Sequence, residues 1–557
     1  MFKKLLMLSP RKKKAKDQAH TSGSSSAGPS APSAPSAPSA PSAPILAAST
    51  FSAPPDPNLP NPNSAVANDS PEVNKPKLGV LAVSLYQAQC ISLPRDADLP
   101  KGVMPYALID YDKTQVFINS VSGTSSEPLW AGRANQFMFD VWKSTQLTVH
   151  LFIRSSSYSP TVGRSKDICV GTAHVIPPIN KQGMKNGDEF ISWLDFDNGP
   201  GQLKIGFQYA ETMDEKLTVS DFTLLKVIGQ GSFGKVLQVR KNDTQRVYAM
   251  KSVRKAKIIA HNEVLHTMTE RSVLAQVNHA FIVPLKFSFQ SETKLYFVLA
   301  FVNGGELFTH LNRAKAFDIN RARFYTAELL CALECLHDFG VIYRDLKPEN
   351  ILLDYEGHIA LCDFGLCKLA MKDEDKTDTF CGTPGYMAPE IITHSPYNKT
   401  VDWWTLGVLL YEMLTGLPPF YDEDKGEMYR KIVFGDLYFS TAMIFPAAKS
   451  LLQGLLHRGP AQRLGAKGAG EIKAHPFFKG IDWRKLAQRR YEPAFKPNVT
   501  GTNDTGAIDQ QWTGQSPRDS VPSGPALSRA QQQQFAGFSF TRAGSSPHAE
   551  GSRVAGS

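Results

Sequence analysis

The stretch "IGQGSFGKVLQVRKNDTQRVYAMK", residues 228–251, decides how the chain is read. It places Gly229, Gly231 and Gly234 in G-x-G-x-x-G spacing, which alone is a weak signal. A dinucleotide-binding turn with this spacing must open a helix. Here a strand-like run, an Asn-Asp turn and a second strand-like run follow instead. The spacing therefore predicts a glycine loop that closes a β-hairpin. Glycine at these positions lets backbone amides approach phosphate oxygens with no side chain in the way.

Lys251 ends the hairpin, and Glu270 follows within "HTMTERSVL". A lone Lys–Glu pair is most often a surface ion pair of little consequence. Further along stand "YRDLKPEN" (343–350), "DFG" (363–365) and "APE" (388–390). In this order they form the signature of a protein kinase, with the glycine loop as its phosphate-covering flap. Each part has a chemical reason. Lys251, held by Glu270, supplies a cation for the α- and β-phosphates of ATP. Asp345 accepts or orients the proton of the substrate hydroxyl. Lys347 stabilises charge on the transferred group. Asn350 and Asp363 are oxygen ligands suited to Mg²⁺, a hard cation. A pseudokinase scaffold is the alternative, yet Lys251, Asp345 and Asp363, whose loss marks such scaffolds, are all present.

The rest of the chain divides by composition. Lys3, Lys4, Arg11, Lys12, Lys13, Lys14 and Lys16 carry most of the formal charge of +9, so the basic character is mostly that of an N-terminal arm. Residues 1–73, with the repeat "PSAPSAPSAPSAPSAP", read as a disordered tether. Residues 74–212 alternate: "QLTVHLFIRS" puts Leu147, Val149, Leu151 and Ile153 on one face, with Thr148, His150 and Arg154 on the other. "GQLKIGFQYA" repeats this with Leu203, Ile205 and Phe207, and short strands at this spacing predict a β-sandwich. Residues 222–478 read as strands first and helices later, an α+β two-lobed layout, and residues 479–557 as an extension. None of the seven cysteines forms a CxxC pair, so neither a disulfide framework nor a zinc site is expected. "LLML" (5–8) is too short for a signal-peptide core, and no apolar run reaches the roughly 20 residues of a spanning helix. A soluble, cytoplasmic monomer without a nucleic-acid partner is expected.

With "DTFCGTP" (378–384), "VDWWTLGVLLYEMLTG" (401–416) and "HPFFKGIDW" (475–483), residues 222–540 resemble serine/threonine kinases of the AGC group. The resemblance is strongest to the protein kinase B and ribosomal-protein kinase branch. A C2-like sandwich ahead of such a kinase, with "FAGFSF" (535–540) in the tail, is similar to fungal nutrient-signalling kinases downstream of TOR. A protein kinase C-like branch is the alternative. The fold implied is multidomain: an all-β C2-like sandwich, then an α+β bilobal kinase with an AGC tail.

The resemblance also implies site residues. Ile228, Gly229, Gly231, Gly234, Val236, Ala249 and Leu352 would join Lys251 around ATP, with backbone groups near Ala300 and Val302 as the hinge. Tyr343, Leu274, Leu285 and Phe364 would form the packed spine of an active kinase. Glu306, Glu349 and Glu412 would bind arginines ahead of the target residue, in Arg-x-Arg-x-x-Ser/Thr-like substrates. Gly385 departs from the glutamate of many relatives. Thr379 would be the activation-loop phosphosite, facing Arg344, Lys368 and His266, and would need an upstream kinase. Ser516 and Ser539 would be tail phosphosites, the target of a TOR-type kinase. Phe535, Phe538 and Phe540 would fold onto the small lobe near Lys255 and Leu295.

The sandwich departs from calcium-binding C2 domains. Met104 stands where the "SDPY" pattern has Asp, and "FIRSSSYSPTVGRSKDICVG" keeps little beyond Asp167. Too few carboxylates remain for a Ca²⁺ site of six to eight oxygens. The expectation is a calcium-independent domain that binds anionic lipid or a protein, with a purely structural sandwich as the plain alternative. For the basic arm a merely solvated segment is the default expectation, with attraction to an anionic endomembrane surface and nuclear import as equal alternatives.

Overall fold

The computed structural model describes residues 79–541 except 95–98, 100–101, 113, 142–144, 155–166, 180–186, 212–215, 232–233, 370–376, 378, 440–444 and 520–525. The basic arm and the greater part of the "FIRSSSYSPTVGRSKDICVG" stretch lie outside the described residues. Among the described residues no helix is long and apolar enough to cross a membrane.

The alternating region forms ten strands: β1 (Gly79–Gln89), β2 (Tyr106–Tyr111), β3 (Thr114–Asn119), β4 (Ser122–Gly123), β5 (Pro128–Leu129), β6 (Gln136–Val141), β7 (Leu147–Ile153), β8 (Ile168–Val175), β9 (Glu189–Asp195) and β10 (Gln202–Glu211). One sheet runs β4-β5-β1-β10-β9, with β6 also paired to β1; the other runs β3-β2-β7-β8. The two share a core in which Leu81, Val83, Leu147, Val149, Leu151, Leu203, Ile205 and Phe207 are buried. The period of two along β7 and β10 thus points inward as expected.

The opposite face of the second sheet is a finding that alternation does not reveal. Tyr106, Leu108 and Phe152 pack there against Tyr355 and Val499, far along the chain. His150 is not solvated; its Nε2 lies 3.0 Å from a Glu356 carboxylate oxygen. Alternation says which side chains share a face, not what covers that face.

The small lobe is built from β11 (Phe222–Gln230), β12 (Gly234–Lys241), β13 (Val247–Arg254), β14 (Leu285–Gln290) and β15 (Lys294–Ala300), with helices α1 (Lys255–Ala260) and α2 (Val264–Gln276) between β13 and β14. Its order is β11-β12-β13-β15-β14. The large lobe contains α3 (Leu307–Ala314), α4 (Ile319–Asp338), the hairpin β16 (Ile351–Leu353) and β17 (Ile359–Leu361), then α5 (Pro389–Ile392), α6 (Thr400–Thr415), α7 (Lys425–Phe434), α8 (Pro446–Leu455), α9 (Ala469–Lys473) and α10 (Trp483–Ala487). The tail adds α11 (Gln510–Thr513), α12 (Arg529–Gln533) and β18 (Phe540–Thr541). β18 pairs with β14 and becomes the sixth strand of the small-lobe sheet.

Local chemistry sets the helix ends. The Asp318 side chain caps α4 by accepting from the amides of Asn320 and Arg321. α6 stops at Gly416, whose φ of 86° is left-handed and where a Cβ would meet the Lys315 carbonyl oxygen at 2.3 Å. Every residue of α6 from Thr400 to Met413 is buried, so it is the central core helix of the large lobe. Arg463 is buried and pairs in bidentate fashion with Glu390, at 2.6 and 2.8 Å. Its Nη1 also donates to the Thr400 carbonyl at 2.9 Å, tying the start of α6 to the end of the activation segment. Arg463→Ala leaves the Glu390 carboxylate buried and unpaired, so stability should fall by about 3–5 kcal/mol in urea denaturation.

Candidate active site

The cleft is roofed by the β12–β13 hairpin. Val236 stands opposite Lys251 and Gln238 opposite Ala249, while Tyr248 is registered with Ala300 at the hinge. Two of the glycines differ in what requires them. At Gly234 a Cβ would sit 1.6 Å from the Ser252 carbonyl oxygen, so strand pairing itself requires glycine there. At Gly231 a Cβ would meet nothing within 4 Å, so packing among the described residues does not itself require glycine there. The floor comes from β16 and β17: Val283, Ala300 and Ala360 form an apolar cluster with Val302, Leu352 and Cys362. Most of the residues expected around an adenine ring are therefore brought to one place. Ile228 lies on β11 beside the roof.

Lys251 bridges two carboxylates. Its Nζ donates to Glu270 at 2.7 Å and lies 3.5 Å from Asp363. Burial works against its ammonium, but Glu270 and Asp363 outweigh that and hold its pKa above the usual value. Burial raises the pKa of Glu270 although Lys251 opposes it. Asp363 is lowered, chiefly by Lys251. The pair thus keeps a cation and an acidic carboxylate ready in a partly dry cleft.

The catalytic loop is held from behind. Asp345 accepts from Lys347 Nζ at 2.7 Å and Asn350 Nδ2 at 2.8 Å, and its other oxygen accepts from the Thr383 hydroxyl at 2.9 Å. Lys347 also donates to Thr383 Oγ1 at 3.1 Å. Thr383, within the quoted "DTFCGTP", was not singled out by sequence reasoning, because a threonine in a loop carries no pattern of its own. Arg344 and Asp363 adopt left-handed φ of 68° and 57°. Such strain is kept only where surroundings enforce it. The Tyr343 ring meets Phe364 edge-on at 5.4 Å, and Leu274 and Leu285 lie in the same extended buried core.

The residues fit a Mg²⁺ ion. Asn350 directs its amide nitrogen to Asp345, which leaves its oxygen as an acceptor, and the Asp363 carboxylate is half-exposed at the cleft. Among the described residues no group of three or more His, Cys, Asp or Glu could hold a metal by itself. A hard ion that completes its shell with phosphate and water oxygens suits such a donor set.

Three carboxylates expected to read arginines come from separate elements. Glu306 stands at the start of α3, Glu349 follows the catalytic loop and Glu412 is on α6. Burial, then Glu349 and Asp509, push Glu306 up to about 7. Burial also raises Glu412 to about 7, with Tyr386 opposing and Glu349 adding to the rise. One Glu349 oxygen is buried with no hydrogen-bond partner. Buried carboxylates, one with an unpartnered oxygen, favour cationic partners. Beside it, a Cβ on Gly385 would touch only Met428 Sδ at 3.7 Å.

Two of the cations expected around Thr379, His266 and Arg344, have other partners. His266 pairs with Glu263 at 2.7 Å. Arg344 donates to the Leu366 carbonyl at 2.6 Å and to the Tyr397 hydroxyl at 3.2 Å, while Tyr397 donates to the Thr379 carbonyl at 2.7 Å. Lys368 pairs through its backbone with Ile342.

The tail phenylalanines dock. Phe535 and Phe538 are both fully buried, and Phe538 meets Phe297 edge-on at 5.1 Å. Lys255 lies 5.3 Å from the Phe535 ring and donates to Gln532 at 2.7 Å. Arg271 lies 5.2 Å from the Phe540 ring, and Arg271 and Ser288 both donate to the Phe538 carbonyl. Leu295 shares the same core. Ser539 and Ser516 are exposed. Asp519, just past Ser516, accepts from Lys294 at 2.5 Å and Tyr296 at 2.9 Å, an anchor that the sequence pattern did not single out.

Residues 222–478 match the protein kinase domain and residues 499–540 the protein kinase C terminal domain. The serine/threonine protein kinase ypkA of Aspergillus fumigatus is 59% identical over 464 residues, covering 79% of this chain and 73% of that protein. The serine/threonine-protein kinase gad8 of Schizosaccharomyces pombe is 53% identical over 442 residues, 79% of this chain and 76% of that protein. The serine/threonine-protein kinase YPK1 of Saccharomyces cerevisiae is 59% identical over 475 residues, 81% of this chain and 68% of that protein. With its lysine, paired carboxylates and catalytic loop assembled in one cleft and its tail docked on the small lobe, the chain belongs to the AGC serine/threonine protein kinases.

Proposed function

We propose that this kinase phosphorylates Ser or Thr preceded by arginines and is switched on by phosphates on its own activation loop and tail. The observation that carries the catalytic assignment is the single array Glu270–Lys251–Asp363 facing Asp345–Lys347–Thr383. Lys251 binds the α- and β-phosphates of ATP while Glu270 fixes its ammonium. Asp345 orients the substrate hydroxyl and takes its proton as the oxygen attacks the γ-phosphorus. Lys347 and Thr383 hold Asp345 in that pose, and Lys347 donates to the transferred phosphoryl group. Mg²⁺, held by Asp363 and the Asn350 oxygen, would neutralise phosphate charge. ADP leaves with the electrons of the broken P–O bond.

Arginines of the substrate pair with Glu306, Glu349 and Glu412, whose pKa values are raised first by burial, with the Glu349 charge adding to the rise at Glu306 and Glu412. A phosphate on Thr379 would draw Arg344 from Tyr397, and His266 from Glu263, toward close to two new negative charges. A phosphate on Ser539 would sit near Arg271, which already binds the flanking carbonyls. On the resemblance to fungal nutrient-signalling kinases, a TOR-type kinase supplies the tail phosphates. The sandwich, with Met104 where calcium-binding domains have a carboxylate, is read as a calcium-independent C2-like domain for anionic lipid.

The carboxylates near pH 7 give the first test. Below their pKa, Glu306 and Glu412 are protonated and cannot pair with Arg; above it they are ionised and can. KM for an Arg-x-Arg-x-x-Ser peptide should therefore rise as pH falls from about 8 to about 6, while a peptide with both arginines replaced shows little change. A flat profile for both peptides would count against these residues. The docked tail gives the second. Truncating a buried Phe to Ala costs about 3–5 kcal/mol, more than a tail bought at high ordering entropy can lose. Phe535→Ala with Phe538→Ala should lower kcat and expose residues 526–541 to protease while ATP still binds.

A further inference from the structure

One domain grips both halves of the nucleotide cleft from outside. On the small-lobe side, Asp140 of β6 accepts from Lys241 at 3.0 Å, Thr244 at 3.3 Å and Tyr248 at 2.5 Å. These three residues stand at the far end of the β12–β13 hairpin, which carries Val236, Ala249 and Lys251. Asp112 accepts from Lys286 of β14 at 2.6 Å, and both side chains are almost wholly buried. On the large-lobe side, the grip is on residues 354–358, the turn that joins β16 to β17. Phe117 meets Tyr355 edge-on at 5.3 Å, His150 pairs with Glu356 at 3.0 Å, and Asp110 accepts from Arg489 at 3.1 Å. Arg489 binds Asp354 and Glu356 as well, so the turn, the end of the large lobe and the sandwich share one cation.

The charges are complementary. The sandwich offers Asp110, Asp112 and Asp140; the kinase offers Lys241, Lys286 and Arg489. The two hairpins held are those that enclose the adenine position, one as roof and one as floor. Tyr248 is also registered with Ala300 of the hinge. For the lobes to part, the far ends of the two hairpins must change their separation, and a rigid sandwich fixed to both resists that.

We infer that the β-sandwich is a splint across the back of the hinge that restrains lobe opening and so slows nucleotide exchange. Product release commonly limits turnover in enzymes that close over a substrate. A ligand that pulled the sandwich off either hairpin would then speed ADP release without touching the cleft. The inference rests on the nucleotide placement proposed above; tight binding of a fluorescent ADP analogue by the unaltered chain checks that placement separately.

A splint acts only while both ends hold, which gives its signature. The test uses the full chain and three variants: Asp112→Asn with Asp140→Asn, Asp110→Asn with His150→Gln, and all four together. Stopped-flow release of the fluorescent ADP analogue is the readout, with hydrogen exchange at residues 299–304. Cutting either end should raise the release rate several-fold and raise KM for ATP, and cutting both should add nothing further. Unchanged release, or effects of the two cuts that multiply, would overturn the splint. Asp112→Lys and Lys286→Asp should each speed release when made alone. Made together they should restore the original rate; failure to restore it would also overturn the inference, and the swap guards against a variant that merely folds badly.

Discussion

A buried carboxylate on the central helix holds the rest in place. Asp402 of α6 is fully buried and accepts from the backbone amides of Tyr343 and Arg344, at 3.0 and 2.9 Å, and from His337 at 2.7 Å. Hydrogen bonds to a charged group are worth about 1.5–3 kcal/mol each, enough to keep Arg344 in its left-handed conformation. That conformation turns the chain so that Asp345 and Lys347 face the cleft while the Arg344 side chain runs back toward Tyr397. Because α6 is itself buried on all sides and fastened by Arg463, the loop inherits the rigidity of the large-lobe core.

The cleft's electrostatics follow from the same economy of burial. Lys251 is kept charged because two carboxylates face it, and Asp363 is kept acidic because Lys251 faces it. Where carboxylates are buried beside one another, as Glu306 and Glu412 are beside Glu349, burial first and then the Glu349 charge raise their pKa values, and the site becomes a demand for cations. The tail completes the small lobe by the same logic. Phe535 and Phe538 fill a groove bordered by α2, and β18 covers an edge strand that would otherwise be unpaired. Asp519 and Lys294 fasten the approach to that groove.

Much of this was legible beforehand. Lys251, Glu270, Asp345, Lys347, Asn350 and Asp363 follow from motif order, because phosphoryl transfer needs those groups in a cleft built from those elements. The sandwich core follows from period-two burial along β7 and β10. Thr383 and Asp402 were within quoted motifs but unassigned, since a hydrogen bond between a loop and a distant helix leaves no local periodicity. His266 and Arg344 were expected near Thr379, yet in this state Glu263 and Tyr397 offer them nearer partners.

The sequence by itself determined which residues alternate, which turns close, and which ionisable groups exist in kinase order. Those are properties of neighbours along the chain, set by backbone sterics and by side-chain chemistry. Tertiary structure alone decided what covers each face. Asp110, Asp140 and His150 on short strands, and Asp112 in the turn after β2, look like ordinary solvated positions, and only folding brings them to Arg489, Lys241, Glu356 and Lys286. Their partners lie more than 100 residues away in every one of these pairs, so the contact is fixed by the packing of two finished domains and not by any local preference.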